Sequence, residues 1–364
     1  MNSTEIFDTI LKEFKTSSGE KMFPKGIYLP YNKDLNYEIL EWLQNSLNAF
    51  LTNNSLSLEI TQPHFNFIND DGINACAVRR PFKNFIGMTK GLVDYSAFLF
   101  RNFLRDNDFL KDVLEITEDK AVIINHVQFF NWCKFSNQNL IHHDSLSYSS
   151  LSFKRKKIAE ALFQYYVFFI ILHELGHLKQ LTQNLTRFEF EGEKNKMAKL
   201  KSQVLEMDAD KFAVNELANH LITFYTERNL PENQPYLIFF DNKKTIVRCA
   251  VFVLLFMFFM FSSNNKFQKY ILKYSHPHPS LRVNYCVILL FDCFVNNSLL
   301  DKSEQEEFGK QTINDFGDIM TRIFPNAGLK KYFNLIGDKE LQMHHETLQN
   351  AAKSMKNLNG YGKY

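Results

Sequence analysis

Residues 249–261 form an uninterrupted run of thirteen apolar side chains, and this run constrains the fold more than any other segment of the chain. A helix that crosses a bilayer needs about 20 apolar residues, whereas runs of roughly 10–14 are more often core helices of folded proteins. The negative mean hydropathy of the whole chain, −0.26, also favours a core helix. We therefore predict a central core helix here, with membrane association through residues 246–263 as the alternative.

The composition is that of an ordinary globular protein. Of the 364 residues, 45% are hydrophobic and 23% are charged, which excludes the disordered and collagen-like classes. Lys and Arg number 42 against 40 Asp and Glu, so the formal net charge is only +2. Such a balance carries no electrostatic signature of a nucleic-acid binder, and we predict no nucleic-acid partner.

Cysteine usage and the first residues both predict a cytoplasmic protein. The five cysteines are far apart and show no C-x-x-C spacing, so neither a disulfide framework nor a thiolate zinc site is indicated. Residues 1–6 contain neither the basic nor the apolar segment of a secretory signal. A reducing compartment is the location that we expect.

Apolar spacing predicts a mainly helical α+β fold, in which a small sheet is confined to the N-terminal region, residues 1–150. A helix is expected over about residues 36–51, and another begins near Gly91. Three segments have the alternating or β-rich character of strands. These strands are predicted at residues 56–60, 73–78 and 84–88.

The rest of the chain is predicted to be helical. Residues 151–300 begin with a long helix, 154–181, and include the apolar run described above. Residues 301–364 form a C-terminal helical region with a loose tail from Asn357, and the spacing of Ser303 and Glu306 is that of a capping box. We expect all three regions to belong to one compact catalytic domain.

The long helix carries the sequence HELGH at residues 173–177, which is an H-E-x-x-H motif. Residues four apart on a helix lie on the same face about 5–6 Å apart, so His173 and His177 can bind one zinc ion together. Glu174 lies about 100° further around the helix, where it can accept a proton from a zinc-bound water as the general base. A carboxylate and two imidazoles in an apolar helix are also costly to bury without a partner or a metal.

A catalytic zinc usually has three protein ligands and one open position, so a third ligand is expected downstream. Glu206 follows His177 by 29 residues on a second predicted helix and is the candidate, with Asp208 as a lesser alternative. Asp210, four residues after Glu206, can accept an N–H from a ligand histidine and fix its tautomer. Alternatively, these acidic residues only stabilise a helix start through the helix dipole.

Further downstream, the sequence SHPHPSLR at residues 275–282 offers a hydrogen-bond donor for the negative charge that develops in a hydrolytic transition state. Either His276 or His278 can take this role, and Arg282 can pair with an active-site carboxylate or fix the loop. The alternative is an exposed proline-rich turn. Two other histidine pairs are expected to lie in solvated loops, at residues 142–143 and 344–345.

Together these motifs resemble the gluzincin proteases of the M48 kind, which pair HELGH with a downstream Glu-x-x-Ala-Asp and a His-Pro-x-x-x-x-Arg segment. Upstream, the sequence Asn74, Ala75, Cys76 and Ala77 is similar to the Asn-Ala strand of that family. The resemblance covers about residues 70–285. It implies a zincin-like core with one zinc ion per chain and a protein or peptide substrate. By the same analogy, the 73–78 strand borders the cleft and binds an extended substrate by β-strand addition.

Two related groups also fit parts of the pattern. The 29-residue interval is closer to that of the ImmA/IrrE-like intracellular proteases, and the phage-exclusion peptidases of the Lit type also contain H-E-x-x-H. The sequence therefore predicts a zinc-dependent endopeptidase that acts on an intracellular protein. The alternative is a non-proteolytic, zinc-containing regulatory or partner-binding protein, with or without membrane association. A merely structural zinc needs no general base, so the intact Glu174 argues against this alternative.

Overall fold

The described part of the N-terminal region folds into a four-stranded sheet in which the outermost strands are β1 and β3. The strands are β1 (Ile27–Tyr28), β2 (His64–Ile68), β3 (Ala75–Arg80) and β4 (Lys83–Thr89), in the spatial order β1-β2-β4-β3. β2 and β4 are parallel, and β3 is antiparallel to β4 with Ala75 opposite Met88. The computed structural model describes residues 3–13, 25, 27–28, 45, 52, 63–70, 74–80, 83–111, 114, 151–182, 196–227, 242–260, 276–325 and 339–359.

Helices dominate the described residues, which confirms the prediction of a mainly helical α+β fold. The predicted strands at 73–78 and 84–88 correspond to β3 and β4, whereas the predicted helix at 36–51 and strand at 56–60 lie outside the described residues. The helices are α1 (Ser3–Glu13), α2 (Lys90–Phe103), α3 (Phe153–Thr182), α4 (Lys196–Thr226), α5 (Lys243–Met260), α6 (Pro279–Asn296), α7 (Lys302–Ile323) and α8 (Lys339–Asn359).

The apolar run lies in α5, which is a core helix. Every residue from Thr245 to Met260 is buried, and α5 packs against α3, α6 and α7. Its phenylalanines also contact α2: the ring centroids of Phe252 and Phe103 are 5.4 Å apart, and those of Phe256 and Phe100 are 4.9 Å apart. These edge-to-face contacts explain why the run is so rich in phenylalanine, and they confirm the core-helix interpretation.

Within the described ranges, one segment, Phe153–Gln180 of α3, is long and apolar enough to cross a membrane. However, 89% of its most apolar window is buried inside the protein. A central core helix has the same length and composition, and α3 packs against α2, α4, α5 and β3. The burial therefore accounts for the apolar sequence of α3.

The long helices α3 and α4 lie close together at Gly176. A methyl group added to Gly176 would lie 2.9 Å from Cα and 3.2 Å from Cβ of Ala209. Only a residue without Cβ fits this contact. The glycine of the H-E-x-x-H motif therefore fixes where that motif lies along α4.

We expect Gly176→Ala to have a free energy of unfolding about 1–3 kcal/mol lower than that of Gly309→Ala, because its methyl group collides with Ala209. Gly309 is the matched control: it is also helical, and its added methyl group would lie 3.3 Å from the Phe291 ring. Both variants gain the same helix propensity, about 1 kcal/mol, so their difference in urea unfolding isolates the Ala209 contact. Equal stability of the two variants would contradict this packing account.

The start of α7 differs from the prediction. The N-cap is Asp301, not Ser303: the Asp301 carboxylate accepts the Glu304 backbone N–H at 2.8 Å, and the Glu304 side chain accepts the Asp301 N–H at 3.1 Å. The capping box therefore lies two residues earlier than Ser303 and Glu306, and the Ser303 hydroxyl instead donates to Asp301. Both spacings fit the motif, and aspartate is at least as good an N-cap as serine.

At the other end of the region, α8 continues through Asn359, so residues 357–359 of the predicted loose tail are helical.

Candidate metal centre

Three side chains from α3 and α4 converge on one point. The Nε2 atoms of His173 and His177 are 3.1 Å apart, and the Glu206 carboxylate oxygens lie 3.5 Å from the first and 3.6 Å from the second. A tetrahedral metal site with bonds of about 2.1 Å separates any two ligand atoms by about 3.4 Å. The three donor atoms therefore have the chemistry and the spacing to hold a metal ion such as zinc.

Asp210 contacts the ring nitrogen of His173 that does not face the other two donors. Its Oδ1 lies 2.9 Å from His173 Nδ1, which leaves Nε2 facing the other two donors. The side chain of Arg282 on α6 donates to both oxygens of Asp210 at 2.7 Å. Asp210 therefore lies between His173 and Arg282 and contacts both, which is the placement that an outer partner of a ligand histidine requires.

The pKa values of His173 and Asp210 reflect the opposite charges that lie beside each of them. Burial alone would lower the pKa of His173, but the contacts with Asp210 and Glu206 raise it to about 9. For Asp210, burial would raise the pKa of the carboxyl, but Arg282 and His173 lower it. Carboxylates that raise the pKa of an imidazole to this extent also favour a metal cation in the same place.

Glu174 is buried at the contact between α3 and β3. Only 8% of its surface is exposed. Burial, and then the charge of Glu174, raise the pKa of the Cys76 thiol on β3, so the carboxylate lies close to that strand. The predicted general base therefore lies on the side of α3 that approaches β3.

The strand β3 presents main-chain groups on the outer side of the described sheet. The Thr89 N–H donates to the Asn74 carbonyl at 2.9 Å, so Asn74 and Thr89 form a hydrogen-bonded pair. Such pairs alternate along an antiparallel ladder, which turns the main-chain groups of Ala75 and Ala77 to the outside. The Asn74 side chain accepts the Ala75 N–H at 2.9 Å. The predicted substrate-binding residues Asn74, Ala75 and Cys76 thus lie in or beside an outer strand that packs against the H-E-x-x-H helix.

The two downstream histidines have different positions. His276 Nε2 lies 3.3 Å from Glu206 Oε1, and 45% of the side chain is exposed. His278 is buried and is the N-cap of α6, where its Nδ1 accepts the Ser280 N–H at 3.1 Å. Burial, and then the nearby His344, lower the pKa of His278 to about 4, which suits a neutral acceptor. Of the two candidates, only His276 is adjacent to the ligand cluster.

Residues 120–290 match the family model Peptidase U49. The match covers slightly less than half of the chain and includes the histidine pair, Glu206 and Arg282. It supports a peptidase function and, with it, a protein substrate. Comparisons with curated proteins and with solved structures gave no match.

Gln180, which lies within the segment that matches Peptidase U49, was not predicted as a site residue from the sequence. Its Oε1 lies 3.0 Å from His177 Nδ1, and its amide nitrogen donates to the Leu205 carbonyl at 2.7 Å and to Asp208 at 3.2 Å. Asp208 is therefore placed with Gln180 and not in the ligand cluster, so the structure does not support it as an alternative ligand. The sequence signal that could have identified Gln180 is its position three residues after His177, because residues three apart lie on the same face of a helix.

The prediction of a solvated loop for His344 and His345 is wrong. Both lie on α8, and His344 is only 2% exposed. His344, Leu348 and Ala351 are buried together at helical spacing, so this histidine belongs to the buried face of an amphipathic helix. Histidines 142 and 143 lie outside the described residues.

Proposed function

We propose that this protein is a zinc-dependent endopeptidase of the gluzincin type. The observation that carries the proposal is the convergence of His173, His177 and Glu206 in a segment that matches a peptidase family. Two imidazoles and one carboxylate on two helices are the donor set of a catalytic zinc site, which keeps a further position for water or substrate. Zinc at such a site lowers the pKa of a water molecule and polarises a substrate carbonyl.

In this proposal, residues of the chain transfer the proton, orient a ligand histidine and stabilise the oxyanion. Glu174 accepts a proton from the attacking water and transfers it to the amine that leaves, since its carboxylate lies beside the cluster and has no ligand position to fill. Asp210 holds His173 with its Nδ1 occupied, so that Nε2 faces the cluster. His276, half-exposed and next to Glu206, is positioned to donate a hydrogen bond to the oxyanion of the substrate.

The substrate would bind along β3 in an extended conformation. The Ala75 N–H donates to the Asn74 side chain, but the Ala75 carbonyl and the main-chain groups of Ala77 face the outside of the described sheet, where a further antiparallel or parallel strand can pair with them. Glu174 lies close to Cys76 on the same strand, so a bound peptide would pass the general base. Main-chain pairing of this kind accepts many sequences, and the choice of substrate then rests on side-chain pockets.

The buried Glu174 favours this function over the non-proteolytic alternative. Burial of a carboxylate lowers the stability of the fold, and a purely structural zinc site does not need such a carboxylate. A structural zinc site also normally closes its fourth position with a protein ligand. A buried general base beside a three-ligand group is the arrangement that hydrolysis requires.

Metal analysis of the purified protein tests the metal part of the proposal. We expect about one zinc ion per chain, and we expect Glu206→Gln to weaken zinc binding by more than the roughly 100-fold that loss of an outer partner costs. The matched control is Glu216→Gln, which removes a half-buried carboxylate from the same helix outside the cluster and should leave zinc affinity unchanged. Absence of zinc from the wild type, or equal affinity in the two variants, would contradict the assigned site.

A further inference from the structure

Each of the two ligand histidines has a polar side chain behind it within hydrogen-bonding distance, and the two side chains differ in kind. His173 Nδ1 faces the Asp210 carboxylate at 2.9 Å, whereas His177 Nδ1 faces the side-chain amide of Gln180 at 3.0 Å. Gln180 is on α3, one turn after His177, and only 4% of its surface is exposed. A buried amide in this position has a definite orientation only if its other contacts decide which end faces the ring.

The contacts on the far side of Gln180 decide this orientation. The Leu205 carbonyl, 2.7 Å away, can only accept a hydrogen bond, so the amide nitrogen must face it. The same nitrogen lies 3.2 Å from an oxygen of the Asp208 carboxylate, which is a second acceptor. The reversed amide would place its oxygen against both acceptors. Gln180 therefore turns its oxygen toward His177.

The oxygen of Gln180 selects one tautomer of His177. A neutral imidazole carries its proton on one nitrogen and a lone pair on the other. Because the Gln180 oxygen accepts, the proton of His177 lies on Nδ1, and the lone pair lies on Nε2. This Nε2 is the atom that lies 3.1 Å from His173 Nε2 and 3.6 Å from Glu206. The ring is thus fixed with its metal-binding atom directed into the cluster.

We propose that Gln180 is a positioning residue for the metal site: its amide, held by the Leu205 carbonyl and by Asp208, fixes the tautomer and the ring orientation of His177. This inference rests on the proposed zinc site. It assigns a role to the contact between Gln180 and Asp208, which bridges α3 and α4. The two helices therefore orient one histidine each through a residue of their own, Asp210 of α4 for His173 and Gln180 of α3 for His177.

The test is the zinc affinity of three variants, measured by competition with a chromophoric chelator. Gln180→Met keeps the size of the side chain but removes the acceptor, and we expect zinc to bind about 10–100-fold more weakly. In Gln180→Glu the oxygen that replaces the amide nitrogen faces the Leu205 carbonyl and Asp208, so we expect it to be protonated and to donate to them while the other oxygen faces His177, and we expect most of the wild-type affinity to be retained. Gln349→Met is the control, since it removes a glutamine that lies 2.8 Å from His345 on α8, and it should not change zinc binding.

The variants also separate positioning from a purely structural role. If Gln180 only joined the two helices, Gln180→Met would be less stable without metal but would give the Co²⁺ spectrum of the wild type, and this result would overturn the proposal. Unchanged zinc affinity of Gln180→Met would overturn it as well. The absorption spectrum of the Co²⁺-substituted proteins should report an altered coordination geometry in Gln180→Met alone, and thermal unfolding without metal should establish that each variant is folded. A wild type that binds no zinc would instead contradict the proposed function itself.

Discussion

Replacing Glu174 with glutamine is expected to lower the rate of peptide-bond cleavage by about 10²–10⁴-fold while zinc remains bound. Glutamine has nearly the shape of glutamate but cannot accept a proton from water. Glu174 is also buried between α3 and β3, so a neutral amide costs no more to bury there than the carboxylate. The measurement is proteome-wide mapping of new protein termini in cells that express the wild type or the variant, together with zinc analysis of both purified proteins.

Glu160→Gln is a suitable control for this experiment. Glu160 is on the same helix and pairs with Lys157 near the surface, 2.8 Å away, so its loss should leave cleavage unchanged. We expect a set of termini that appears with the wild type and with Glu160→Gln but not with Glu174→Gln. The same termini at the same rates in all three proteins would refute the role of Glu174 as general base.

The second large effect is expected at Arg282. Its guanidinium makes two hydrogen bonds to Asp210, which is completely buried. In Arg282→Met the Asp210 charge is left without this partner, and removal of one member of a buried ion pair typically costs about 3–5 kcal/mol. We expect a loss of this size in the free energy of unfolding, measured by urea denaturation of the metal-free protein.

Arg322 offers a control with nearly identical geometry. It donates to both oxygens of Asp106 at 2.7 and 2.8 Å, but 39% of its side chain is exposed. Water screens such a pair, so Arg322→Met should cost no more than about 1 kcal/mol. Asp210→Asn combined with Arg282→Met should recover part of the stability, because no buried charge is then unpaired. Equal losses for Arg282→Met and Arg322→Met would show that burial is not the source of the effect.

Local spacing made much of the site predictable. His173 and His177 are four apart on one helix, and Glu206 and Asp210 are four apart on another, so each pair had to share a face whatever the tertiary structure. The proximity of Glu174 to Cys76 is different in kind, because it depends on how α3 packs against β3. The only basis in the sequence for placing Glu174 near this strand was the resemblance to the gluzincin proteases, in which the corresponding strand borders the cleft.

The errors have a common physical origin. Ser303 and Asp301 both head a capping-box spacing, and only the backbone path decides which of them begins α7. For His344, composition suggested a polar loop, although the apolar residues four and seven positions later predict a buried helix face. Gln180 was missed because glutamine is neither a usual zinc ligand nor a general base. Its proposed role depends on the Leu205 carbonyl, which belongs to another helix.

The contact between Gly176 and Ala209 has a consequence for how such chains can diverge. This contact sets how far α3 is shifted along α4, and it lies within one helical turn of His173, His177 and Glu206. The relative positions of these three donors therefore do not depend on the number of residues that connect the two helices. Insertions or deletions in the connection should leave the donor geometry intact. A single residue inserted between Glu206 and Ala209 would instead rotate the glutamate by about 100° away from the histidines. The 29-residue interval between His177 and Glu206 is therefore not a requirement of coordination.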